Sequence, residues 1–134
     1  MHEKRIEIRW RDVDGYGHVN NAAYLTYLEE GRDAWLASVL GSLEAIYAYV
    51  IAHIEIDFRR ELRHGDREVL VRCRLDRLGS SSIRTREEVL TRDGELAAEA
   101  AAVLVARELG EGGSRPLTET ERAAFEQAAA TDRP

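Results

Sequence analysis

Between Asp12 and Asn21 the sequence reads Asp-Val-Asp-Gly-Tyr-Gly-His-Val-Asn-Asn, which gathers carboxylates, an imidazole, carboxamides and glycines into one short stretch. Cleavage of an activated carbonyl needs a nucleophile or base, and donors where negative charge collects on the carbonyl oxygen. Asp14 is the candidate for the first role. The backbone N–H groups of Gly17, His18 and Val19 are candidates for the second, because they stand where a helix begins and its dipole is positive. Gly17 also allows close approach of a substrate to the backbone. Each residue has a structural reading beside the chemical one: Asp12 and Asp14 as turn caps, Asn20 and Asn21 as helix caps, His18 as a satisfied structural histidine.

The loop must be positioned by what flanks it. Residues 5–11 alternate, with Ile6, Ile8 and Trp10 on one face, which predicts a half-buried strand. From residue 22 to 40 apolar positions recur every three or four residues (Tyr24, Tyr27, Leu28, Gly31, Ala34, Trp35, Val39), predicting a helix of about five turns. Asn20 or Asn21 is its expected N-cap and Gly41 its stop. Period two returns in Ile54, Ile56 and Phe58, and again in Val69, Val71, Cys73 and Leu75, giving two more strands. Turn chemistry at His64-Gly65-Asp66, Gly79-Ser80-Ser81-Ser82 and Asp93-Gly94 makes the chain an antiparallel meander. Residues 95–107 are in conflict, since the alanine-rich start favours helix while the preceding hairpin turn and Val103, Leu104 and Val105 ask for a strand. A strand is expected there. Thr118 followed by Glu121 is a capping box that opens a short helix to about residue 130.

The run Trp10-Arg11-Asp12-Val13-Asp14-Gly15-Tyr16-Gly17-His18-Val19-Asn20-Asn21-Ala22-Ala23-Tyr24 resembles the signature of the hotdog-fold acyl thioesterases, among them 4-hydroxybenzoyl-CoA and acyl-ACP thioesterases. Ile56-Asp57-Phe58-Arg59-Arg60-Glu61 with Gly65-Asp66 resembles the family's second strand and following turn, so the likeness spans about residues 4–107. It implies an α+β hotdog fold: a long helix wrapped by a curved antiparallel sheet of about five strands. It also implies pairing into homodimers or homotetramers with active sites at the dimer interface. The implied reaction is hydrolysis of an acyl thioester of coenzyme A or acyl carrier protein. By the same likeness Asp14 matches the catalytic carboxylate, as nucleophile or as base for water. His18 matches an assisting histidine, and Glu61 a glutamate that positions water. Gly17, Val19, Asn20 and Tyr24 fall beside the substrate, the last two as scaffolding. Tyr16 stands where the acyl-ACP branch carries a catalytic asparagine, so that part of its mechanism does not transfer. An acyl-CoA hydratase or dehydratase of the same fold spaces its Asp and His by four residues, against three here. A non-catalytic acyl-thioester binding protein would not need Asp14.

The remaining chemistry is sparse. The length of 134 residues fits one domain, and 44% apolar with 33% charged residues is ordinary for a globular chain. A net charge of -6 argues against nucleic acid as partner, and no apolar run approaches a membrane span or a signal core. A cytoplasmic location is expected. The single Cys73 reads as a core residue, and His2, His53 and His64 lack the spacing of a metal site, so neither metal nor cofactor is predicted. Gly79, Ser80 and Ser81, with Arg77 and Arg84 nearby, offer donors for the nucleotide end of coenzyme A.

Overall fold

Asn20 caps the long helix with its own side chain, which accepts from the Ala22 N–H at 2.8 Å, and Gly41 closes it in the left-handed region at φ 75°. In the computed structural model, which describes residues 1–110 and 112–132, this helix α1 runs Asn21–Leu40. Five strands form a single antiparallel sheet: β1 (His2–Glu7), β2 (Tyr49–Phe58), β3 (Glu68–Leu78), β4 (Ser82–Thr91) and β5 (Leu96–Ala106). Their order across the sheet is β1-β3-β4-β5-β2, with α1 packed on one face, the hotdog arrangement. The final helix α2 (Glu119–Thr131) opens on the expected Thr118/Glu121 capping box.

Strand β5 settles the conflict over residues 95–107. It lies between β4 and β2 and pairs with both, so its backbone groups are satisfied on two sides and helix propensity is overridden. Its alanines have a packing use. Ala98 and Ala100 sit beneath Tyr24, Tyr27 and Leu28 of α1, leaving room for the aromatic stripe. Gly31 of α1 lets the helix approach β3 closely, since a Cβ there would fall 2.3 Å from Val71 Cγ1.

The first strand differs from expectation. Pairing ends at Glu7, Ile8 is still buried, but Trp10 is 78% exposed rather than on the core face. The cause is local: the Arg9 N–H donates to Asp12 Oδ2 at 3.0 Å and draws residues 10–12 into a 3-10 turn.

Two apolar clusters share the space between α1 and the sheet. One, around Tyr24, Tyr27, Leu28, Val71 and Val89, lies under the Asp12–Asn21 loop; the other, around Trp35, Leu36, Leu75, Leu104 and Phe125, lies under α2. Between them Arg32 Nε and Nη2 meet Glu87 Oε2 and Oε1 at 2.8 and 2.9 Å, and the Thr85 hydroxyl donates to Oε2 at 2.6 Å. Arg32 and Glu87 are buried. Cys73 lies in the second cluster, and burial pushes its thiol well above its ordinary value, as befits a core residue.

Helix α2 is tethered by Glu121, which accepts from both ends of the Arg115 guanidinium, from the Thr118 N–H and from the Tyr49 hydroxyl. The Arg115 contact, with these further donors, holds the Glu121 carboxyl down to about 2 against an ordinary 4.5. A depressed carboxyl contributes stability above its unfolded value and loses it as pH falls. Melting temperature should therefore drop between pH 4.5 and about 2. Glu121→Gln should cost about 1–3 kcal/mol at neutral pH and flatten that dependence, read by thermal melts across the range.

Candidate active site

The loop after β1 is held as a small closed unit. Val13 and Val19 form an isolated antiparallel bridge, with the Asp14 N–H donating to His18 O at 2.8 Å and the Asn20 N–H to Asp12 O at 2.7 Å. Gly17 supplies the reversal at φ 80°, where a side chain is strained. The Val19 N–H reaches across to Leu62 O at 2.7 Å, tying the loop to the segment after β2. Asp12 is structural, for its Oδ2 accepts from the Tyr27 hydroxyl at 2.6 Å as well as from Arg9 N. Burial, then this hydrogen bond to a carboxylate, holds the Tyr27 hydroxyl well above its ordinary value.

Asp14 sits on the outer side of this unit, half-buried. Its Oδ1 accepts from the Tyr16 N–H at 2.9 Å, while Oδ2 has no protein partner among the described residues. Of the three N–H groups expected to receive a carbonyl oxygen, two are already committed, Gly17 to Asp14 O and Val19 to Leu62 O. The His18 N–H alone has no partner among the described residues. Tyr16, at the loop tip, is 86% exposed.

The segment Arg59 to Arg63 forms the facing wall. The Tyr24 hydroxyl donates to Arg60 O and accepts from the Leu62 N–H, each at 3.0 Å, so this buried side chain is a strut that presents Glu61 toward the loop. There His18 Nε2 lies 3.2 Å from Glu61 Oε2. His18, Val19, Asn21, Tyr24, Phe58, Arg59, Arg60 and Glu61 line a cavity of about 280 Å³, with the Phe58 ring edge-on to Tyr24 at 5.1 Å. Of the expected residues, His18, Val19, Tyr24 and Glu61 line this cavity, whereas Asp14, Gly17 and Asn20 belong to the adjoining loop and are not part of the lining. Phe58, Asn21 and Arg63 were not anticipated. An apolar Phe58 on the same strand just before Arg59-Arg60-Glu61 was the available signal for the cavity's apolar side.

A larger concavity, about 690 Å³, lies on the other face of the sheet. It is lined mostly by charged side chains, several of them paired, as Arg84 with Glu55 at 2.7 Å and with Asp76 at 3.4 Å. Such a lining offers nothing to an acyl chain, so the smaller cavity beside His18 is the better candidate.

Gly79, Ser80 and Ser81 are not brought to the loop. They stand at the far end of β3, separated by roughly 30 Å of strand. The Gly79 carbonyl accepts from Arg122, the Ser80 carbonyl from Leu117 N and the Ser81 carbonyl from Ala106 N. Arg84 is committed to its carboxylates, and Arg77 is exposed. The turn's clear contribution is to anchor the C-terminal segment. Among the described residues no group of three or more His, Cys, Asp or Glu side chains is placed to hold a metal ion.

The profile of the thioesterase-like superfamily matches residues 8–129. The long-chain acyl-CoA thioesterase FadM of Escherichia coli is 32% identical over 111 residues, covering 80% of this chain and 83% of that protein. The chloroplastic acyl-acyl carrier protein thioesterase ATL3 of Arabidopsis thaliana is 32% identical over 88 residues, covering 63% of this chain but only 45% of that protein. Among solved structures, a thioesterase of Thermus thermophilus in complex with coenzyme A and zinc superposes with a TM-score of 0.85 at 36% identity, covering 98% of this chain and 95% of that one.

Proposed function

Because the chain belongs to the thioesterase-like superfamily and is an acyl thioester hydrolase of the hotdog fold, we propose that it acts on acyl-CoA, with Asp14 as the group that delivers the attacking oxygen. The observation that carries the role of Asp14 is its Oδ2, which has no partner among the described residues, on a loop held by backbone pairs at Asp12, His18 and Leu62. In one route Asp14 takes a proton from water, the hydroxide adds to the thioester carbonyl, and collapse breaks the C–S bond and expels the thiolate, which takes the proton back. In the other, Asp14 attacks the carbonyl directly and expels the thiolate, and a water then hydrolyses the acyl-aspartate and supplies the proton that the thiolate takes up. Both place negative charge on the carbonyl oxygen, where the His18 N–H and the N-terminus of α1 are the proposed donors. His18 and Glu61 complete the acid-base set, and the cavity beside Phe58 and Tyr24 is proposed to take the start of the acyl group.

The likeness to FadM favours coenzyme A over a carrier protein. Offering one acyl group on each carrier tests the choice: kcat/KM should be higher for the acyl-CoA, and a preference for the acyl-ACP would reverse the assignment. A homodimer or homotetramer is proposed because β2 is a free sheet edge whose Val50, Ile51 and Phe58 are 37%, 42% and 46% exposed. One protomer holds the Asp14 loop and the Gly79 turn at opposite ends of β3, so a nucleotide contact by Arg77, Ser80 and Ser81 requires a second copy. A cytoplasmic location is proposed from the likeness to a bacterial acyl-CoA thioesterase; no helix among the described residues is long and apolar enough to cross a membrane.

A further inference from the structure

His18 and Glu61 present a problem that a third residue solves. Their facing atoms, Nε2 and Oε2, are 3.2 Å apart, and Oε2 of an ionised carboxylate can only accept. Two acceptors so close repel unless a donor lies between them or the imidazole turns its own hydrogen toward the carboxylate. Arg63 supplies a donor: its Nη2 lies 3.2 Å from Glu61 Oε2 and 3.4 Å from His18 Nε2. A guanidinium Nη2 carries two hydrogens, enough for both.

We infer that Arg63 is a positioning residue that fixes the tautomer of His18, holding Nε2 as acceptor so that Nδ1 carries the ring proton and is the donor offered to the substrate. The inference deepens the thioesterase reading and rests on it for the use made of that proton. Arg63 is suited to this role because its backbone is already set: its N–H donates to Asp66 Oδ2 at 2.8 Å, capping the short turn that follows. Its side chain is 62% exposed and reaches back over Glu61, with no other partner among the described residues. An exposed pair of this kind contributes little to folding. Its service is directional, because the hydrogen bond at one ring nitrogen decides what the other nitrogen does.

The test compares wild type, Arg63→Gln and Arg63→Lys by nitrogen-15 NMR of the histidine side chains, well above the ordinary imidazole range so that the ring is neutral. Wild type should show His18 protonated at Nδ1. Arg63→Gln should move the proton to Nε2, now free to donate to Glu61, whereas Arg63→Lys, with several ammonium hydrogens, should keep it on Nδ1. In thiol-release kinetics Arg63→Gln should lower kcat about three- to tenfold with KM within about twofold, the signature of a group acting on the chemical step. A wild-type Nε2–H tautomer, or a tautomer unmoved in Arg63→Gln, would overturn the inference. So would a raised KM at unchanged kcat, which would make Arg63 a substrate contact. Should wild type cleave no acyl-CoA, the proposed function fails, and the NMR comparison still decides the role of Arg63.

Discussion

Asp14→Asn should slow thiol release by about a hundredfold or more, the size expected for a positioned acid-base group or nucleophile. The substitution is nearly isosteric, and its amide oxygen can still accept the Tyr16 N–H that Asp14 Oδ1 now takes. The loop is held mainly through backbone pairs at Asp12, His18 and Leu62, so the melting temperature should stay within about 2 °C. What is lost is the charge and basicity of Oδ2. A loss below tenfold at unchanged stability would move the attacking group elsewhere. One turnover in heavy-oxygen water can establish direct attack: label in the Asp14 carboxylate requires an acyl-aspartate opened at the aspartyl carbon, because a base leaves that carboxylate unlabelled.

Arg32→Ala should destabilise the fold by about 3–5 kcal/mol in a denaturant titration, because it leaves the Glu87 carboxylate buried without its bidentate partner. Thr85 supplies a single remaining hydrogen bond, too little to offset the desolvation of a charge. The pair need not be a large net source of stability. Two buried charges lose their hydration, and their attraction roughly repays it, so Arg32→Met with Glu87→Leu should recover most of the loss. A single substitution costing under about 1 kcal/mol would mean that water or a shifted side chain reaches Glu87.

Much of this was legible in the chain. Helix α1 declared itself through its stripe and both caps, and those caps form as expected, because they depend on a few neighbouring residues. The α2 capping box is equally local. Trp10 misled because strict alternation continues through it, while the Asp12 carboxylate further on bends the backbone out of the strand by holding the Arg9 N–H. Arg32 was hidden within a stripe otherwise apolar, since only the long-range approach of Glu87 makes a guanidinium tolerable there. The family likeness led to Asp14, His18 and Glu61; His18 and Glu61 face each other at 3.2 Å, and Asp14 stands on the same loop as His18 without lining their cavity. Arg63 could not be singled out, because no local pattern distinguishes the one arginine of that segment that reaches back to His18. The Gly79 and Ser80 carbonyls accept from Arg122 of α2 and Leu117 before it, a partnership visible only after folding that does not bear on the proposed role of the Ser80 and Ser81 donors.

The most direct test of acyl thioester hydrolysis through Asp14 is free-thiol release by the purified protein and Asp14→Asn, side by side, on short, long and aromatic acyl-CoAs. Wild type should turn over at least one of them, and the variant should release thiol from that substrate about a hundredfold more slowly or worse. Release from none, or equal rates from both proteins, would contradict it.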